Sequence, residues 1–251
     1  MVSFVGAGPG APNLITVRGA ELLRQADVVI YAGSLVNPAL LGLCREECRI
    51  YNSAEMTLEQ VTEVMLEAEA AGLDTVRLHT GDPSLYGAIR EQMDLLRQKE
   101  IPVSVVPGVS SFLAAAAELE AEYTLPGVSQ TVILTRMAGR TPVPERESIS
   151  ALAAHGSSMV IFLSAGMLEE LQAALLAGAY DGATPAAIVY KATWPEQRLI
   201  RTPLGRLAET GRTHGIEKTA LVLVGEFLGD RYDRSRLYDP AFTTGFREGN
   251  P

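Results

Sequence analysis

Four short stretches of this 251-residue chain carry residue types that could hold and orient a charged small molecule. The first is Gly6-Ala7-Gly8-Pro9-Gly10-Ala11-Pro12. Glycines let a backbone come close to a ligand and adopt positive φ, while two prolines stiffen the turn. The second is His79-Thr80-Gly81-Asp82-Pro83-Ser84-Leu85-Tyr86-Gly87. There Asp82 can accept hydrogen bonds from two hydroxyls or an ammonium, Gly81 permits close approach and Pro83 fixes the exit direction. The same Asp-Pro-Ser run also reads as a turn or helix N-cap. In the third, Pro107-Gly108-Val109-Ser110-Ser111-Phe112, the hydroxyls either cap a helix or face a ligand. The fourth comprises Phe162-Leu163-Ser164-Ala165-Gly166 and Tyr190-Lys191-Ala192-Thr193-Trp194-Pro195-Glu196-Gln197. A lysine and the chain's only tryptophan in one stretch suit a flat, anionic molecule.

Hydrophobic patterning places these stretches at the ends of expected strands. Val2-Ser3-Phe4-Val5 runs into the first glycines, and Asp27 to Tyr31 is a near-continuous apolar strand of the kind buried in a parallel sheet. A helix over Thr16 to Ala26 turns Leu22 and Leu23 inward. A second, over 57–71, begins with Thr57 and Gln60 in capping-box spacing and closes at Gly72. Strand Thr75 to His79, a helix near Ala88 to Lys99, strand Val103 to Val106 and a helix through the alanines to Glu118 complete the first half. Alternation of strand and helix at this spacing predicts βαβ units and a mainly parallel sheet. Tyr123-Thr124-Leu125-Pro126-Gly127 reads as a linker, so domains are expected at 1–122 and 123–251. Past it come strands Thr131 to Thr135, Met159 to Leu163, Ala186 to Tyr190, Arg198 to Arg201 and Ala220 to Val224. Helices over 147–154, 167–177 and Leu204 to Thr210 separate them. Ligands in open α/β sheets bind beyond the carboxyl ends of strands, where all four stretches fall.

Composition narrows the chemistry. Net charge −9 argues against broad phosphate-backbone binding, which needs a basic field to displace counterions, while a local arginine and lysine cluster can still hold a small anion. Two cysteines, Cys44 and Cys48, make neither a disulfide framework nor a zinc site, and read as buried thiols on one helical face; no metal is expected. No apolar run approaches the roughly 18 residues of a membrane span, and the first residues lack the basic region of a secretory signal, so a cytoplasmic protein is expected. The first loop matches the dinucleotide fingerprint only loosely. Pro9 removes an N–H that a phosphate would use, and Tyr31-Ala32-Gly33 stands where the ribose-binding acid belongs. His155 and His214 fall in helix-to-strand connections and read as solvent-facing; His79 reads as a structural hydrogen-bonding residue.

In this order, GAGPGAPNLITVRG, HTGDPSLYG, PGVSS, the LSAG segment and TALVLVGEF resemble the tetrapyrrole methylase family across nearly the whole chain. The pieces SLYGAI, YKATWPEQ and RLYDPAFTTGFR are similar to members that act in the corrin pathway. The resemblance implies two α/β domains, a mainly parallel sheet in the first and a mixed sheet in the second, an active-site cleft between them, and a homodimer. It implies S-adenosylmethionine as methyl donor, S-adenosylhomocysteine as its product, and methylation of a tetrapyrrole, at C11 of precorrin-4 or cobalt-precorrin-4. Family contact positions place Pro9, Thr80, Gly81, Asp82, Leu85, Ser110, Ser111, Leu163 and Ala192 around the cofactor. A substrate fringed with acetate and propionate needs cations. The candidates on loops are Arg136, Arg140, Lys191 and Arg198, with Met137 padding the macrocycle face.

One position departs from the family pattern. Its first loop usually reads GPGDP, and here Ala11 stands in place of the acid. No nucleophile–base dyad is evident, so catalysis by positioning is expected, a source of roughly 7–11 kcal/mol of barrier reduction. Competing readings are an rRNA or diphthine methyltransferase of the same fold, an NAD-dependent oxidoreductase, and a non-catalytic S-adenosylmethionine-binding module. The acidic balance disfavours RNA, and the missing ribose acid disfavours the oxidoreductase.

Overall fold

Strands Val2–Gly6 (β1) and Thr75–His79 (β4) are buried along their whole length, as apolar runs without alternation must be when both sheet faces are covered. With Val28–Tyr31 (β2), Arg49–Asn52 (β3) and Val103–Val106 (β5) they form a wholly parallel sheet of order β3-β2-β4-β1-β5. The computed structural model describes residues 1–250. Helices Val17–Gln25 (α1), Leu58–Ala70 (α2) and Ile89–Gln98 (α3) lie between β1 and β2, β3 and β4, and β4 and β5, while β2 passes to β3 through 3-10 segments. The reciprocal capping box of Thr57 and Gln60 opens α2 as the sequence predicts, and Gly72 (φ 70°) follows its end. One face of the sheet carries Val5, Val29, Val76 and Leu78 with Leu23 of α1. The other carries Val2, Phe4, Val28 and Ile30 with Val61 and Met65 of α2 and Leu96 of α3.

The second sheet has order β6-β7-β10-β8-β9, from Val132–Arg136 (β6), Ser158–Phe162 (β7), Pro185–Tyr190 (β8), Arg198–Pro203 (β9) and Ala220–Val224 (β10). Only β6 and β7 run parallel; the other pairings are antiparallel, so the sheet is mixed. Ile149–Ala153 (α5), Leu168–Leu176 (α6) and Leu207–Thr213 (α7) bury Ile149, Leu168, Leu171, Leu175 and Leu207 together with Met159, Ile161, Ile188 and Val222. Met1–Ala114 and Ala192–Glu196 form one compact unit. Ala115–Lys191 and the residues from Gln197 on form the other, and the division falls within Ser111–Glu118 (α4).

Three sequence expectations are corrected. The stretch that reads as a linker is packed: Tyr123 is buried against Phe227, its carbonyl accepts from Ser158 Oγ, and the Pro126 carbonyl accepts from the Asp233 N–H. Cys44 and Cys48 share no helical face; Cys44 ends the 3-10 segment Pro38–Leu43, Cys48 lies in the turn before β3, and both are half-buried. Burial, the largest cause, raises both thiol pKa values, Cys48 to about 11. His79 is buried with Nε2 lacking any hydrogen-bond partner, its ring stacked on Phe4 at 6.1 Å. His155 and His214 are exposed, as expected.

Burial, reinforced by the buried guanidinium of Arg77 two residues earlier on the same strand face, pushes the His79 pKa down to about 3. The unfolded chain therefore binds a proton between about pH 6.5 and 3 that the folded chain refuses, so stability falls as pH drops through that window. Each pH unit there is worth up to about 1.4 kcal/mol. His79→Phe keeps the stack on Phe4 and removes the titration. Its thermal midpoint should decline less than that of the wild type between pH 6.5 and 4, when the two are compared in one series of buffers.

Candidate active site

In the first unit the strand order makes β4, β1 and β5 neighbours, so the three loops leaving their carboxyl ends lie side by side. They meet backbone to backbone. A Cβ on Gly6 would lie 2.5 Å from Gly108 Cα and 2.6 Å from the Gly81 oxygen, and one on Gly108 would overlap that same oxygen. Gly8 and Gly81 exchange both backbone hydrogen bonds, at 3.2 and 2.8 Å, and Gly8 and Gly81 hold φ of 80° and 58°. Glycine is required here because the chain crosses where no side chain fits.

Asp82 ties these loops together. One carboxylate oxygen accepts from the Ser84 N–H and Oγ, and the other accepts from the Gly108 N–H at 2.8 Å. Burial alone would raise its pKa, but the donors of Ser84 and Gly108 outweigh it and hold the carboxyl below its usual range. Pro9 is buried, Thr80 is exposed and Leu85 is half-buried. Ser110 is buried and Ser111 begins α4. Ala192 belongs to the same unit and is buried. Thus Pro9, Thr80, Gly81, Asp82, Leu85, Ser110, Ser111 and Ala192 fall together in one unit, the loop residues among them on three adjacent strand ends.

The first loop has partners that the sequence reading did not assign. The Ala11 N–H donates to Thr193 Oγ1 at 2.9 Å, Trp194 Nε1 donates to the Pro9 carbonyl at 3.0 Å, and Asn37 Nδ2 donates to the Gly10 carbonyl at 2.8 Å. The indole lies so close to Gly10 that a Cβ there would overlap it. The contacts are 182 and 185 residues apart in sequence, which is why no local pattern announces them.

In the second unit Leu163, Arg136, Met137 and Arg140 line one cavity of about 550 Å³ with Gly139, Thr141, Gly166, Met167 and Glu217. Leu163 follows β7 with φ 53° and is 66% exposed, an apolar side chain held outward on a strained backbone. Arg140 is exposed. Arg136 lines the cavity while its guanidinium also donates to the carbonyls of Met137, Thr141 and Pro142, pinning its own loop. Lys191 and Arg198 do not line this cavity. Arg198 donates to the His214 carbonyl at 2.7 Å and lies 4.5 Å from the Tyr190 ring centroid, and Lys191 Nζ lies 5.8 Å from the same ring. Among the described residues no cluster of three or more His, Cys, Asp or Glu could hold a metal ion, and no helix is long and apolar enough to cross a membrane.

A parallel α/β unit with glycine loops on adjacent strand ends, followed by a mixed α/β unit, is the architecture the chain presents. The model of the Tetrapyrrole (Corrin/Porphyrin) Methylases matches residues 1–208, and the chain belongs to that family. It is 50% identical over 250 residues to the cobalt-precorrin-4 C(11)-methyltransferase of Methanocaldococcus jannaschii, covering 99% of this chain and 96% of the relative. The crystal structure of a cobalt-precorrin-4 methyltransferase of cobalamin biosynthesis superposes with a TM-score of 0.89 at 45% identity, over 91% of this chain and 96% of that one. The uroporphyrin-III C-methyltransferase of Thermus thermophilus in complex with S-adenosylhomocysteine gives 0.76 at 27% identity, over 90% and 98%.

Asp82→Ala would leave the half-buried Gly108 N–H without its acceptor and remove the exposed pairing with Ser84, a loss of about 0.5–1.5 kcal/mol. Urea unfolding should show that loss of stability, with Asp82→Asn falling between the variant and the wild type because its amide oxygen can still accept.

Proposed function

We propose that this chain transfers a methyl group from S-adenosylmethionine to C11 of precorrin-4, in its cobalt-bearing or metal-free form. The observation that carries the reading is the cradle of the first unit, in which three side-chain-free backbones meet on adjacent strand ends, with the half-buried Leu85 four residues beyond Gly81 on the second loop. Those residues fit a nucleoside carrying an amino acid: backbone amides and carbonyls for the polar edge, the hydroxyls of Thr80, Ser110 and Ser111, and an apolar wall. S-adenosylmethionine supplies, when bound, a methyl on a positive sulfonium. What the chain contributes is placement. Asp82 keeps the second and third loops in register, and its own lone pairs are largely taken by Ser84 and Gly108. Glu217 is the one carboxylate residue among those lining the cavity of the second unit, and Ala11 offers no acid on the first loop. Reaction by approximation fits this inventory better than reaction through a strong base. Met137, Met167 and Leu163 give the cavity apolar faces for a macrocycle and Arg140 a cation for a carboxylate of its rim. The homodimer and the cytoplasmic setting belong to the same reading, as does binding of substrate carboxylates by Lys191 and Arg198.

The reading is tested by single-turnover transfer of a labelled methyl group to precorrin-4 and cobalt-precorrin-4 in parallel, with carbon NMR of the product. A label at C11 in either supports it, and label at another carbon or none refutes it. Leu85→Arg should abolish S-adenosylhomocysteine binding in calorimetry while circular dichroism stays native. Arg140→Ala should weaken tetrapyrrole binding about tenfold, a loss of one charge-assisted hydrogen bond, and leave the affinity for S-adenosylhomocysteine unchanged.

A further inference from the structure

The five residues Ala192–Glu196 fall between β8 and β9 in the chain yet belong to the first unit. Two of them engage the first loop through different chemistry. Thr193 offers its hydroxyl oxygen to the Ala11 N–H, and Trp194 gives its indole N–H to the Pro9 carbonyl while its ring fills the space over Gly10. The backbone beneath them is strained: Lys191 and Thr193 hold φ of 47° and 67°. For a β-branched residue the left-handed region is sparsely populated, and such a conformation persists only where its surroundings fix it. Pro9 and Ala11 flank Gly10, whose own carbonyl is held by Asn37. Every polar backbone atom just named on this three-residue stretch is therefore met by a side chain from elsewhere in the unit.

We infer that Thr193 and Trp194 are positioning residues that fix the Pro9–Ala11 bend for the methyl donor, with Gly10 kept bare so that the indole can lie on it. The inference rests on the cofactor site proposed above. It adds that the first loop takes its binding shape from these two side chains. Because Trp194 is the chain's only tryptophan, fluorescence excited beyond the absorption of the eight tyrosines reports on the surroundings of this one ring.

Saturating the wild type with S-adenosylhomocysteine should change the Trp194 emission. By calorimetry Thr193→Val, which keeps the shape and loses the acceptor, should bind S-adenosylhomocysteine roughly five- to tenfold more weakly, the worth of one lost hydrogen bond. Thr193→Ser should stay within about twofold of the wild type, since the hydroxyl is restored. Trp194→Phe, which retains the packing and loses the N–H, gives an independent arm if Thr193→Val does not fold, and should weaken binding to a similar degree. In steady state the KM for S-adenosylmethionine should rise in Thr193→Val with the KM for the tetrapyrrole unchanged. A folded Thr193→Val or Trp194→Phe that binds as the wild type does, a Thr193→Ser as impaired as the valine variant, or an emission indifferent to saturation overturns this inference alone. A wild type that takes up no S-adenosylhomocysteine overturns the cofactor site with it.

Discussion

Where β1, β4 and β5 end, three stretches of backbone pass one another with no side chain between them. That near-contact of Gly6, Gly81 and Gly108 sets the rest of the first unit. It demands a parallel sheet in which β4 and β5 flank β1, and the observed order provides it. It also removes the means by which loops usually hold each other apart, which is interdigitated side chains. The structure supplies substitutes at the margins. Asp82 reaches from the second loop to an amide of the third, and a paired exchange of backbone hydrogen bonds joins Gly8 to Gly81. A carboxylate that the sequence offers as a ligand for a hydroxyl or an ammonium is thereby engaged mainly in building the place where a ligand would lie.

The second unit shows the same economy with arginine. Arg136 and Arg198, both candidates to hold an anionic rim, donate to carbonyls of the protein itself. A guanidinium carries five donors in a rigid fork, so one residue can pin several carbonyls of an irregular loop that has no ladder to satisfy them. Arg136 does so for the loop that carries Arg140 into the wall of the cavity. Shaping a loop and holding an anion draw on the same guanidinium donors, so cationic residue type alone assigns neither role.

Much of the architecture is legible in the amino-acid order. The apolar run of Asp27 to Tyr31, the Thr57 and Gln60 spacing and the alternation of strand with helix become β2, α2 and a parallel sheet. The mixed second sheet came by family resemblance, since short apolar strands do not declare their direction. The strand Arg49–Asn52 is not legible in the sequence, because it sits at a sheet edge, is four residues long and carries no clean alternation. Tyr123 to Gly127 misled because Pro and Gly mark irregular backbone whether or not it is buried; the aromatic ring at its head was the contrary signal. At the site, the glycine loops stand out by composition, whereas Thr193, Trp194 and Asn37 as partners of the first loop do not, since contacts across more than 180 residues, as for Thr193 and Trp194, leave no periodicity to read.

That separation has a consequence for how the protein is made. Ala11 leaves the ribosome 182 residues ahead of the threonine whose hydroxyl meets its amide. At roughly 5–20 residues per second, the nascent chain carries its glycine bend for about ten to forty seconds before the anchoring segment exists. Once Val106 has been made the parallel sheet has all five of its strands, but its first bend still lacks two of its fixtures until Thr193 and Trp194 follow. Biosynthesis thus completes the scaffold early and the bend last.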